Sequence, residues 1–106
     1  MDRLKDLYRL YEDDPTDPFT LFAIGYEYLR QGEREKALRW YESIREVAPD
    51  YTGVYYHLGK LYVALGRNSE ARRVYDAGIH MCRRVSEMKD LSELQQARMD
   101  LEDDAV

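Results

Sequence analysis

The sequence predicts an all-α protein of about six helices, laid out as repeated helix pairs with a capping helix at each end, and three observations carry this. The first is duplication. Displacing the chain by 34 positions lays Leu21 on Tyr55, Ile24 on Leu58, Gly25 on Gly59, Tyr28 on Tyr62, Gly32 on Gly66, Ala37 on Ala71 and Tyr41 on Tyr75. The second is periodicity, because within each copy the large apolar residues recur at helical rather than strand spacing. The third is punctuation: Asp17-Pro18 opens a helix, Gly32 and Gly66 close two, and Pro49 ends another.

Each predicted element has its own local reason. Leu4, Leu7, Tyr8, Leu10 and Tyr11 form one helical stripe in an opening helix within residues 1–14. The register reaches back to it, since Pro49, Tyr41, Ile44 and Leu38 map onto Pro15, Leu7, Leu10 and Leu4. It therefore reads as the second helix of a preceding half repeat, capping the front of the stack. The first full pair spans 18–50. Asp17 can accept a free first-turn N–H, and Pro18 is tolerated where no N–H is needed. The partner helix runs from Glu33 to Ala48 on the stripe Ala37, Leu38, Tyr41, Ile44 and Ala48.

The second pair spans 52–88: Thr52 to Leu65, then a restart at Asn68 or Ser69 with Glu70 in the first turn. Thirty-four positions beyond Pro49 stands Arg83, so nothing stops this helix and it is predicted to exceed its predecessor in length. A last helix over 90–103 restarts with a capping-box spacing, Asp90 with Glu93 or Ser92 with Gln95. Leu91 and Leu94 resume the packing pattern, while Gln95 and Arg98 replace the glycine and tyrosine, as suits a polar-faced cap.

Glycine inside a helix costs about 1 kcal/mol relative to alanine, so Gly25 and Gly59 imply close helix approach. The expected arrangement presents Ala37 and Ala71 at the contact and sets Tyr28, Tyr62, Tyr41 and Tyr75 on the flanks, their hydroxyls reaching the rim. Trp40 and Val74 share a register position off the main stripe and are expected to touch between neighbouring repeats. Gly78, at the site of Ile44, signals either a further close approach or a loosened helix.

The doubled motif, a large residue, then Ile/Leu-Gly, then Tyr, with Ala and Tyr behind it, resembles the tetratricopeptide repeat over residues 3–103. The resemblance implies a right-handed superhelical stack of antiparallel helix pairs, a TPR-like α-solenoid forming one domain. It also implies an interaction module or adaptor whose first helices line a concave groove that receives a segment of another protein. The groove-facing sites are then Phe19, Phe22, Tyr26, Leu29 and Arg30 in the first pair and Gly53, Tyr56, Lys60, Val63 and Ala64 in the second. Phe19 and Phe22 carry two readings, binding surface or core under the opening helix. The family's carboxylate clamp of Lys and Asn has no counterpart, since its sites hold Phe22, Tyr26 and His57, which points to an apolar or aromatic anchor in the partner. Self-association through the aromatic face or the stack ends is the alternative.

Composition narrows the function classes. With 16 basic and 21 acidic residues and a net charge of −5, the chain repels phosphate backbones and anionic lipid, so neither nucleic acid nor membrane is an expected partner. At 106 residues it can bury roughly 60 to 70% of its extended surface, enough for a core without staples. Cys82 stands alone and closes no internal disulfide, no charged-then-apolar leader opens the sequence, and the longest apolar run is Leu61 to Leu65; a cytoplasmic protein is expected. His57 and His80 lack metal-ligand spacing, no phosphate-binding glycine loop or nucleophile elbow is present, and no enzyme activity or cofactor is predicted.

Overall fold

The computed structural model describes residues 2–104 and contains six α-helices and no strand among them. The helices group into two compact units, which among the described residues are 2–51 and 52–104.

In the first unit, α1 (Arg3–Asp13), α2 (Pro18–Arg30) and α3 (Arg34–Val47) follow one another, with α2 packed against both neighbours. Asp2 starts α1 by accepting from the Leu4 N–H at 3.0 Å. Asp17 starts α2 as its residue type predicts, taking the Phe19 N–H at 3.2 Å and the Thr20 hydroxyl at 2.9 Å, with Pro18 just inside. Of the expected α1 stripe, Leu7 is buried but Leu10 is 54% exposed, because Tyr11 rather than Leu10 turns toward Trp40. The α1 rings pack edge-on against Trp40 at 5.8 Å (Tyr8) and 5.2 Å (Tyr11), which joins the opening helix to α3. Tyr8 and Tyr28 also share a 2.6 Å hydrogen bond between hydroxyls, tying α1 to α2.

The turn from α2 to α3 shows why Gly32 is glycine. Its φ of +81° is left-handed, and it lets the Gly32 N–H reach the Leu29 carbonyl at 3.0 Å and the Glu33 N–H reach Tyr28 at 2.9 Å. The second copy repeats the device: Gly66 has φ +75°, its N–H donates to Val63 at 2.9 Å, and that of Arg67 donates to Tyr62 at 2.8 Å.

In the second unit, α4 (Gly53–Ala64), α5 (Asn68–Val85) and α6 (Met88–Asp104) pack with α5 against both others and α4 against α6. With 18 residues, α5 exceeds the 14 of α3. Its start is not capped by Asn68 or Ser69: Arg67 precedes the helix and clasps Glu70 through two 2.8 Å bonds. The last helix starts at Met88, two residues before the expected capping box. Ser86 takes the left-handed conformation (φ 60°), the Glu87 N–H returns to Cys82 at 2.9 Å, and α6 begins at once. Asp90 is committed elsewhere, accepting from the Thr52 hydroxyl at 2.7 Å and so joining the start of α4 to α6.

The glycine contacts differ from expectation in their partner. A Cβ on Gly25 would stand 2.7 Å from Tyr41 Cε1, and one on Gly59 would stand 2.6 Å from Tyr75 Cδ1, so the tyrosine rings rather than the alanines fill the space. Tyr41 and Tyr75 are consequently core, at 0% and 1% exposure, and the Tyr41 hydroxyl does not reach the rim. It is buried without a hydrogen-bond partner among the described residues. Burial, with a lesser contribution from Tyr26, pushes its pKa up to about 12. Gly78 has a clear reason too: a Cβ there would meet Tyr55 Cβ at 2.6 Å and Leu94 Cδ1 at 2.9 Å, so the glycine lets α4 and α6 approach the same stretch of α5.

Candidate functional site

The α2 face that the sequence singles out is built from the helix register. With Leu21, Ile24 and Gly25 turned into the core, Phe19, Phe22, Tyr26 and Leu29 lie off that stripe. Phe19 is 71% exposed, its ring edge-on to Tyr51 at 5.5 Å, which excludes the reading of Phe19 as core under α1. Phe22 is half-buried, stacked on the Tyr41 ring at 5.0 Å with an interplanar angle of 19°. It covers the core and stays partly accessible. Tyr26 is exposed and Leu29 half-buried. Arg30 is exposed but tied, donating to the buried Glu27 carboxylate at 3.0 Å, with Arg3 on the same oxygen at 3.8 Å.

In the second unit, α4 and α6 enclose a cleft of about 180 Å³ lined by Tyr56, Lys60, Glu93, Gln96, Ala97 and Asp100. A smaller recess of about 40 Å³ shares Lys60, Ala97 and Asp100 and adds Val63, Tyr75 and Leu101. On α4, Tyr56 and Lys60 are one turn apart, which places the Lys60 ammonium 5.7 Å from the Tyr56 ring centroid. The His57 ring meets Tyr56 edge-on at 5.7 Å; burial lowers its pKa, while Glu93 and Asp90 pull the other way. On α6, Glu93, Gln96, Ala97 and Asp100 fall on one face, with the Gln96 amide donating to Asp100 at 2.9 Å. Burial, then Tyr56 and Asp100, push the Tyr75 hydroxyl up to about 12.

Thus Tyr56, Lys60 and Val63 come together, while Gly53 and Ala64 lie at the ends of α4 and line neither space. The α6 wall is the part that the sequence reading missed, having treated that helix as a polar cap. The signal was present as Glu93, Gln96, Ala97 and Asp100 at helical spacing. Nothing local says that the face turns toward α4 rather than solvent.

Elsewhere in this unit the groups are structural. Arg98, at the register site of Tyr28 and Tyr62, donates to Asp76 at 2.9 Å and to Glu102 at 2.6 Å, while Arg72 donates to Glu102 at 2.9 Å. These bonds, that from Arg72 foremost, hold Glu102 below the usual carboxylate range. Cys82 is fully buried, and its thiol is pushed up by that burial and by Asp90 and Glu87, against a hydrogen bond with Thr52. Among the described residues no group of three or more His, Cys, Asp or Glu could hold a metal ion, and no helix is long and apolar enough to cross a membrane.

Comparisons with known proteins agree with the repeat geometry. A family model described as Tetratricopeptide repeat matches residues 28–94, more than half of the chain. A tetratricopeptide repeat domain protein from Salinibacter ruber, solved by solution NMR, superposes with a TM-score of 0.80 at 46% identity, covering 84% of this chain and 90% of that one. A crystal structure of a tetratricopeptide repeat domain protein from the same organism gives 0.76 at 45% identity, covering 81% and 96%. A protein from Bordetella parapertussis shares the fold, with a TM-score of 0.82 at 18% identity over 98% of this chain and 90% of that one. The TPR repeat-containing protein YpiA of Bacillus subtilis (strain 168) is 33% identical over 72 residues, 68% of this chain, which spans only 17% of that protein's length.

Proposed function

We propose, since this chain belongs to the tetratricopeptide-repeat family, whose fold mediates protein–protein interaction, that it is an adaptor binding an apolar or aromatic segment of a partner protein. The α2 residues Phe19, Phe22, Tyr26, Leu29 and Arg30 and the α4 residues Tyr56, Lys60 and Val63 are the proposed contacts. The single observation that carries this reading is the exposure of α2 aromatics: Phe19 is 71% and Tyr26 49% accessible on a helix whose opposite stripe is already buried. A helix apolar on more than one face is suited to a second contact, and rigid aromatic rings are effective anchors. The observation is tested by replacing Tyr26 and Tyr56 together with Glu. Circular dichroism should be unchanged, while the proteins co-purifying from the native lysate should be lost. An identical set of partners retained by the folded double variant would sink the proposal.

A second reading, self-association through a stack end, is supported by Met99, which is 60% exposed on α6 where a polar cap surface was expected. Light scattering over a range of concentrations separates the two. A concentration-dependent mass abolished by Met99→Glu supports self-association, and a strict monomer removes it.

A further inference from the structure

The cleft between α4 and α6 has a charge pattern that the apolar-anchor reading leaves unused. Two carboxylates, Glu93 and Asp100, line it against one ammonium, Lys60. None of the three is held in an ion pair among the described residues: Asp100 accepts only from neutral Gln96, and Lys60 leans on the Tyr56 ring. Tyr75 adds an independent observation. It is 1% exposed, borders the adjoining recess with Lys60 and Asp100, and makes no hydrogen bond among the described residues. Such a hydroxyl offers an acceptor to an incoming donor.

We infer that this cleft receives a basic side chain of the partner segment, an arginine in preference to a lysine, next to the apolar anchor. This rests on the protein-interaction reading above. A guanidinium carries five N–H donors in a planar fork, suited to the Asp100 carboxylate with the Tyr75 hydroxyl bordering the same recess, while Glu93 adds negative charge further along the cleft, and its flat face suits the Tyr56 wall. The stem lies along Ala97 and the ring of Tyr56, both already at the cleft surface. The net charge of −5 adds long-range attraction for a basic segment. Lys60 is the one unfavourable neighbour, and it makes the inference directional: an acidic ligand would need Lys60, whereas a basic one is hindered by it.

The experiment titrates the isotopically labelled full chain with N-acetyl-arginine amide, with its neutral isostere N-acetyl-citrulline amide, and with N-acetyl-glutamate amide, following backbone amide shifts. Arginine amide should move signals of residues 56–60 and 93–100, and citrulline amide should move them far less. Asp100→Asn and, separately, Glu93→Gln should each weaken arginine binding about two- to fivefold, the range of an exposed ion pair, and Lys60→Gln should strengthen it. Signals remote from the cleft report that each variant is folded. An equal response to citrulline, a response to glutamate at these amides, or weakening by Lys60→Gln overturns the inference. If peptides selected by display bind these helices without enrichment in basic residues, the basic-side-chain inference fails while the interaction reading stands; if no peptide binds, both fail.

Discussion

The ring of Tyr75 occupies the space that a side chain at Gly59 would need, with Cδ1 2.6 Å and Cζ 2.7 Å from where a Cβ would stand. Tyr41 stands in the same relation to Gly25. One ring per helix pair thus converts the absence of a side chain on the first helix into the centre of the core.

Gly59→Ala should therefore destabilise the protein, although alanine is the better helix former by about 1 kcal/mol. Tyr75 is buried and cannot swing aside, so overpacking outweighs propensity and the expected net loss is about 1 to 2 kcal/mol. Gly53→Ala is the control, since nothing lies within 4 Å of its Cβ position. Urea unfolding of the two variants should show a lower midpoint only for Gly59→Ala; equal midpoints would refute the packing account.

Tyr41→Phe should be neutral or stabilising, by up to about 1 kcal/mol, because it removes a buried hydroxyl without a partner. Tyr8→Phe removes one half of the 2.6 Å bond to Tyr28 and should cost about 1 kcal/mol. The opposite signs of two identical substitutions make the pair informative. A loss of stability in Tyr41→Phe would show that its hydroxyl is bonded.

Stability should fall at alkaline pH. Burial raises Tyr8, Tyr41 and Tyr75 to about 12 in the fold, against 10.0 for an ordinary phenol. Between these values the unfolded chain holds fewer protons than the folded one, so ionisation draws it toward unfolding. The contribution is fully present below pH 10 and is lost as pH rises toward 12. Melting temperatures measured from pH 9 upward should decline, and the decline should lessen in a Tyr41→Phe, Tyr75→Phe double variant. An unchanged slope in that variant assigns the effect elsewhere.

Trp40 is the one tryptophan of the chain, and its ring meets Tyr8 and Tyr11 of α1. It should report α1 docking directly. Tyr11→Ala should shift Trp40 emission to longer wavelength and lower the melting temperature, as one wall of the aromatic cluster is removed. Emission identical to the parent would mean that α1 contributes no shielding.

Much of the fold is written in local chemistry. Asp17-Pro18 dictates a helix start, Gly32 and Gly66 a left-handed stop, and the 34-residue echo a repeated pair, because each depends only on a few consecutive residues or on one periodicity. The exposure of Tyr26 was legible for the same reason, since it lies off the stripe that must be buried, whereas Phe19 carried two readings that only the fold resolved.

What the sequence could not decide concerns partners far apart along the chain. Whether Gly25 faces an alanine or a tyrosine depends on how two helices slide against one another. Whether Asp90 caps its own helix or binds Thr52 depends on where α4 begins, and the left-handed turn at Ser86 is a choice made by packing. The face of α6 is the clearest instance. Glu93, Gln96, Ala97 and Asp100 read as solvated polarity in a linear chain, and only the approach of α6 to α4 turns them into the wall of a cleft. Periodicity alone determined which residues share a helical face; the tertiary structure decided what each face meets, because side-chain contact is set by helix placement and not by spacing along the chain.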